Sequence, residues 1–578
     1  MLNELKKNFS TIYKILLLEE KYKIILFFLS TLTIIFLETI SLSMLVPFLD
    51  ILFSLITNSS ISFNFSEKIL NYFIDLDTTE VITYLSIFLI LIFLFKNFFI
   101  VGLNYFNLNF QLNITNKLTN NLLRIFLHKD YEELQKFDSG QILRNIAGEP
   151  KTIVSYLGAI INFIIEFFVL FFLIILLVIT QPIGITSILL LISIALLIII
   201  SSLKKLKKWG ESRFKASATT NKYLILPFTN NVETKLLGLE NLFFNLFARE
   251  NIKILRTTLN LNFIQIANKY IIELIFITSI LISLIFSIIY NQENFNNILT
   301  SISILTVIAL RAIPSINKMI SSVQSITFLR KNMKNVVIML EGNSQFKIDK
   351  PFSKKYEKFK SLLIKDVNFK YQKNNFKSLK NVSLSLNRGD KILIHGASGE
   401  GKSTFLKIIS GLLNPQEGTF ILNDDEIKIY KYDWDRKLSY VPQKSIVLDG
   451  SIINNIALTY NNDEINFDKA NEMVKFCQLE ELIDKLDNNL HTKLTEGATN
   501  FSSGQLQRLC IARHLYFSPE ILILDEATNA MDKKNEELIV QKFLDDEELT
   551  LIMITHSKDL FNKFKKKFEF IEGKLIER

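Results

Sequence analysis

Six apolar runs of about twenty residues occupy the first part of the chain, at about Ile24–Leu49, Val81–Leu103, Ile153–Thr180, Ile183–Leu203, Ile271–Tyr290 and Ile298–Ser322. Each is long enough, as an α-helix, to cross a hydrocarbon layer. Only Gln181-Pro182 separates the third run from the fourth, and only the polar stretch NQENFNN separates the fifth from the sixth, which predicts short turns at one membrane face. The opposite face is different. Asn104–Thr152 and Lys204–Lys269 are long, polar and helical in pattern. After Leu340 the character changes again, to an irregular polar linker over 341–360. From Ser361 onward, short β-rich runs (LLIKDVNFKY, KILIHG, ILILDE, TLIMITH) alternate with helical segments. The pattern therefore predicts an all-α six-helix transmembrane domain over 1–340, with long cytoplasmic extensions, followed by an α/β domain over 361–578 with a largely parallel core sheet.

Composition supports a chain that is partly bilayer-embedded and partly globular: 49% of the 578 residues are hydrophobic, yet 21% are charged. The net charge of +9 does not point to a nucleic-acid partner, because the basic residues cluster beside apolar runs, as in KKLKK at Lys204–Lys208. The predicted short-turn face has Lys68 and almost no other cation, so charge asymmetry places both termini in the cytoplasm. KKLKK then reads as a helix flank near anionic headgroups. Cys477 and Cys510 are too few for a disulfide framework and lack zinc-ligand spacing, which suits a reducing compartment. The opening MLNELKKNFSTIYK has no short apolar core before a cleavage site, so no removable signal peptide is expected.

Nucleotide chemistry enters with GASGEGKST, directly after the apolar strand Lys391–His395. Gly396, Ala397, Ser398, Gly399, Glu400, Gly401, Lys402, Ser403 and Thr404 fit a P-loop, in which glycine backbone wraps phosphate oxygens and the following helix presents its N-terminal amides. ATP and Mg²⁺ are the expected cofactors, with Lys402 against the β- and γ-phosphates and Ser403 as a metal ligand. Downstream, ILILDE is an apolar strand ending in two carboxylates. Asp525 is expected to hold the metal and Glu526 to polarise the attacking water. His395 reads as a strand-end residue, and His514 as part of a helix.

Between these motifs lies FSSGQLQR, Phe501–Arg508. With it the chain resembles ATP-binding cassette (ABC) transporters of the exporter type, in the half-molecule arrangement of six spans and one C-terminal cassette. The resemblance implies that Ser502, Ser503, Gly504 and Gln505 form the signature that reaches a partner's γ-phosphate, so a second copy is expected in a homodimer. It implies that Tyr371 stacks on adenine, that Gln443 contacts magnesium and senses the membrane domain, that Asn529–Asp532 is the D-loop, and that His556 is the switch histidine. Ser503 stands where the family usually has glycine, and Met531 where it usually has leucine.

Ionisable residues inside the apolar runs are Glu38, Lys96, Glu166, Glu273, Arg311 and Lys318. They read either as cargo contacts or as mutual structural partners. FLETISLSMLVPFLDIL, FKNFFIVGLNYF and LRAIPSINKMI resemble flippases of lipid-linked oligosaccharides from bacterial protein glycosylation. That resemblance implies a bacterial inner-membrane location, Lys96, Arg311 and Lys318 as cations for a pyrophosphate, and Ser66–Phe73 as an external helix. Membrane lipids and an amphipathic glycolipid are then the other partners. The alternatives are an exporter of a peptide or small hydrophobic compound, and an ATP-gated regulatory or channel-like protein.

Overall fold

The computed structural model describes residues 26, 29–34, 36–37, 40–41, 44–57, 67, 77–180, 185–290, 295–341, 358–371, 378–432, 434, 436–443, 446–494 and 501–578. Glu38, the Gln181-Pro182 turn, Ser66–Phe73 apart from Glu67, and the predicted linker over 342–357 lie outside these residues. The chain forms two compact units, one of residues 1–129 and 133–345, the other of residues 130–132 and 346–578.

The first unit is helical. Its main elements are α1 (Leu45–Thr57), α2 (Thr78–Leu127), α3 (Ser139–Leu143), α4 (Glu149–Thr180), α5 (Ile185–Thr229), α6 (Glu240–Tyr290) and α7 (Phe295–Glu341). The polar stretches between apolar runs are largely continuations of the same helices: α2 has 50 residues and α6 has 51. At about 1.5 Å per residue such a helix is roughly twice as long as a bilayer core is thick. Among the described residues, helical stretches at 79–127, 139–175 and 240–278 are long and apolar enough to cross a membrane. The first helix continues past the predicted end at Leu49 to Thr57.

Packing in this unit follows the apolar faces. Val169, Leu173 and Leu177 of α4 meet Ile272 and Phe276 of α6 and Ala312, Ile316 and Ile320 of α7 in one buried cluster. On α2, by contrast, Phe95, Phe98, Val101 and Tyr105 are exposed. Large aromatic and branched side chains turned outward along a helix suit lipid better than water. Further along, a π-helical turn over Arg144–Gly148 leads into α4. There Glu149 is buried, with Arg144 Nε 3.4 Å away and the Asn332 amide donating at 3.0 Å. These bonds partly offset the cost of burying two charged groups.

The second unit contains two main sheets. Strands β1 (Ser361–Phe369), β2 (Leu379–Asn387), β4 (Glu417–Leu422) and β5 (Asp425–Ile427) form an antiparallel sheet in the order β2-β1-β4-β5. The LLIKDVNFKY run thus belongs outside the parallel core sheet. Half of its residues alternate between core and surface, as antiparallel strands with one wet face do. The core sheet has the order β12-β11-β3-β10-β9-β6, with β3 (Lys391–Gly396), β6 (Leu438–Val441), β9 (Ile521–Asp525), β10 (Thr550–Ile554), β11 (Lys566–Ile571) and β12 (Lys574–Glu577). All its pairings are parallel except β11 with β12. β9 and β10 are buried at every position, which is why they read as uninterrupted apolar runs. Two-residue strands β7 (Gly450–Ser451) and β8 (Lys493–Leu494) pair separately. Cys477 and Cys510 are buried free thiols, and burial pushes the Cys477 thiol well up.

Candidate nucleotide site

β3 ends at Gly396, and the chain loops through Gly401 into α8 (Lys402–Ile409). Gly396, Gly399 and Gly401 have φ of 145°, 90° and 108°, which disfavours any residue with a Cβ. Space reinforces this at Gly401, where a Cβ would stand 2.6 Å from the Ser378 carbonyl oxygen. Ala397, Ser398 and Gly399 form an exposed crest, open to a ligand. Lys402 is buried, and its ammonium donates to the carbonyls of Gly396 and Ala397 at 2.8 Å each. The loop thus holds its cation inside its own curve.

Next to it, Ser403 Oγ donates to Asp525 Oδ1 at 3.1 Å, which joins the start of α8 to the end of β9. A hydroxyl and a carboxylate so placed make a hard-oxygen pair suited to Mg²⁺, with phosphate oxygens completing the shell. The other Asp525 oxygen accepts from Tyr440 Oη at 2.6 Å. Tyr440 was not legible as a site residue. It lies on β6, in register with Ile523 of β9, so strand adjacency alone brings its hydroxyl to Asp525. Burial first, and then the Asp525 carboxylate, push the Tyr440 hydroxyl strongly up, so it remains a donor.

Glu526 follows β9 with φ of 53°, a left-handed backbone unusual for glutamate. Its carboxylate is surrounded by three side chains: Gln443 Nε2 at 2.8 Å, Asn529 Nδ2 at 3.3 Å and His556 Nε2 at 3.2 Å. The strain and the three contacts together fix where this carboxylate sits. Parallel neighbours β6, β9 and β10 each end here and each deliver one part of the cluster. Crevices at the carboxyl ends of parallel strands are where such folds place ligands.

Tyr371 lies beside the P-loop helix. Its hydroxyl is 3.3 Å from Thr404 Oγ1, and its ring stands edge-on to Phe369. Among the described residues, Ser502–Gln505 make no hydrogen bond to the P-loop. Ser502 caps α10 (Ser503–Tyr516) in a reciprocal box with Gln505. Gly504 packs against the D-loop so closely that a Cβ would stand 2.6 Å from the Ala530 carbonyl oxygen, and Gln507 accepts the Ala530 N–H at 2.9 Å. Ser503 is the first helical residue and has negative φ, so its N–H is free of the helix ladder and available to a ligand. Ser503→Gly is therefore expected to change ATPase by less than about tenfold. A hundredfold change in steady-state turnover would give the hydroxyl its own role. His514 lies on α10, where burial lowers it to about 4, so it is neutral at physiological pH. His395 closes β3 with its ring edge-on to Phe561.

Three ionisable residues of the apolar runs come together. Arg311 and Lys318 both approach Glu166, at 3.6 Å and 3.0 Å, and Glu166 is buried. Mutual pairing, the structural alternative, is what the geometry shows. A carboxylate inside an apolar layer needs a compensating charge, and these two cations supply it. The Lys96 ammonium lies 4.5 Å from the Phe93 ring centroid. Glu273 pairs at 4.0 Å with Lys269, one turn away.

Residues 379–529 match the family model described as ABC transporter. The second unit carries an ABC transporter ATP-binding domain. The matched segment contains the P-loop, the signature and the Asp525–Glu526 pair. A putative export ATP-binding/permease protein of Rickettsia conorii is 35% identical over 183 residues, 31% of either chain. The lacticin-481/lactococcin-DR transport/processing ATP-binding protein of Lactococcus lactis is 31% identical over 219 residues, 37% of this chain and 30% of that protein. The chain thus spans about a third of the length of these relatives. Over 96% of the chain, the fold matches a solved bacterial Atm1-family ABC exporter with ATP bound, with a TM-score of 0.77, 17% identity and 94% of that chain covered. The ABC domain therefore accompanies a helical unit of exporter fold.

Proposed function

We propose that this chain is half of an exporter that couples ATP hydrolysis in its ABC domain to movement of an amphipathic substrate across a membrane. The observation that carries the reading is the complete catalytic cluster: Lys402, Ser403 and Asp525 beside a Glu526 held by Gln443, Asn529 and His556. Lys402 binds phosphate, Ser403 and Asp525 hold Mg²⁺, and Glu526 orients water and takes its proton. Mg²⁺ held there would supply charge neutralisation for the phosphates. Two copies form a symmetric homodimer in which the helix start at Ser503 of each completes the other's site, a reading that fits the lack, among the described residues, of a hydrogen bond from Ser502–Gln505 to the P-loop of their own chain. The helical unit spans a bacterial inner membrane, and the ABC domain faces the cytoplasm.

For the cargo, the reading is an anionic amphiphile of the lipid-linked glycan or glycolipid class. Support comes from Arg311 and Lys318, which converge on one buried carboxylate and can be drawn to an anionic head group. ATPase of the full chain in nanodiscs, measured against polyprenyl-pyrophosphate glycans, neutral lipids and peptides, tests this. Stimulation by peptides alone would replace the cargo class with that of the lacticin transport relative.

Tyr440 gives a sharper test of the metal site. Tyr440→Phe keeps the ring and deletes the 2.6 Å bond to Asp525. The expected result is a severalfold higher Mg²⁺ requirement for nucleotide binding, with binding in EDTA unchanged. An unchanged Mg²⁺ midpoint, read with a fluorescent ATP analogue, would reduce Tyr440 to packing.

A further inference from the structure

In the helical unit, α5 and α7 line a half-open pocket of about 160 Å³ formed by Lys207, Glu211, Thr327, Phe328, Arg330, Lys331 and Lys334. Four of these seven residues are cationic and one is acidic. Among the described residues, no carboxylate lies within ion-pair distance of Lys207, Lys331 or Lys334, and Glu211 itself makes no ion pair. Gly210 brings the walls together: a Cβ there would stand 2.0 Å from the Phe328 carbonyl oxygen, so the two helix backbones touch at the floor. Lys207 lies one turn before that contact, and Lys331 lies one turn after it. Four cations beside a single carboxylate leave the pocket with excess positive charge, which a bound anion would offset.

The position suggests where the anion comes from. Lys207 follows the apolar run ending at Leu203 by one turn, in the KKLKK segment that the nucleotide chemistry leaves unexplained. Both α5 and α7 run from their apolar halves into their polar halves. Helical side chains tilt toward the N-terminus, so all four cations lean back toward the apolar end. Lys207 stands nearest the apolar run, and its long stem allows its charged head to reach the headgroup layer.

We propose that this pocket binds a phosphate-bearing group at the cytoplasmic membrane surface, supplied by the headgroup of an anionic phospholipid. This rests on the membrane placement above but not on the cargo or on ATP turnover. Basic pockets between membrane helices on the cytoplasmic side have the right chemistry for such headgroups. Free phosphate shares that chemistry and is the other source to distinguish.

The test uses the full chain in nanodiscs of phosphatidylcholine, with or without phosphatidylglycerol, and reads the thermal midpoint and the lipids retained in native mass spectra. Phosphatidylglycerol is expected to raise the midpoint of the unaltered chain. Lys207→Gln/Lys331→Gln/Lys334→Gln should lose that shift and retain at least about tenfold less phosphatidylglycerol. Lys204→Gln/Lys205→Gln/Lys208→Gln removes equal charge from outside the pocket and should keep both. Lys334→Gln alone should show a partial loss, so the test survives poor folding of the triple variant. If inorganic phosphate raises the midpoint in pure phosphatidylcholine discs, and phosphatidylglycerol adds nothing, the site stands with a soluble source. Equal losses in both triple variants, or no response of the unaltered chain to either probe, would overturn the site.

Discussion

Glu526→Gln is expected to lower ATP turnover by about 10²- to 10⁴-fold while nucleotide affinity stays within a few-fold. The carboxylate is contacted by Gln443, Asn529 and His556 and is the proposed acceptor of a proton from water aligned with a terminal phosphate. An amide of the same shape keeps the volume but loses the charge and the basicity. It also turns an N–H₂ toward donors that need an acceptor, so local rearrangement adds to the chemical loss. Phosphate contacts through the P-loop, Lys402 and Ser403 are untouched, which is why binding survives. At about 1.4 kcal/mol per factor of ten, the expected loss is roughly 3–5 kcal/mol of barrier. Single-turnover ATPase and equilibrium binding on the same preparation separate the two effects. Turnover near that of the unaltered chain would remove Glu526 from the role.

Glu166→Leu is expected to lose most of the folded protein. Glu166 is buried, and both Arg311 and Lys318 depend on it. Removing one partner of a buried ion pair costs about 3–5 kcal/mol, because the remaining charge is left without its counterion. Glu166→Leu/Arg311→Leu should restore much of the yield, since the Lys318 side chain is 59% exposed and can reach a polar environment. Size-exclusion profiles of the two variants measure this directly. The restored double variant also addresses cargo: it should retain basal ATPase but lose stimulation by a polyprenyl-pyrophosphate glycan. Normal yield of Glu166→Leu would show that the pairing carries no stability. Full stimulation of the double variant would move the cargo reading to the peptide or small hydrophobic class.

Much of the nucleotide site was legible because its chemistry is local. Gly396, Gly399, Gly401, Lys402 and Ser403 lie within eight consecutive residues between a strand and a helix, and the left-handed backbone needed there is written as glycine. Asp525 and Glu526 likewise end one apolar strand. The long helices were less legible. Polar surface residues of α2, α5 and α6 carry the same helical spacing as their apolar halves, but composition marks the change of solvent, not the continuity of the backbone.

What the sequence by itself determined is the set of elements and the identity of the phosphate-binding loop, because helix period, strand burial and glycine placement act over a few neighbouring residues. Tertiary structure alone decided which distant side chains meet. The order β10-β9-β6 put Tyr440 on Asp525 and gathered Gln443 and His556 around Glu526. Packing of α4 against α7 brought Glu166, one of the acidic residues the sequence offered, to Arg311. The crossing at Gly210 gathered Lys207 with Lys331 and Lys334. Charges act through space at a few ångströms, and only the folded chain sets those distances.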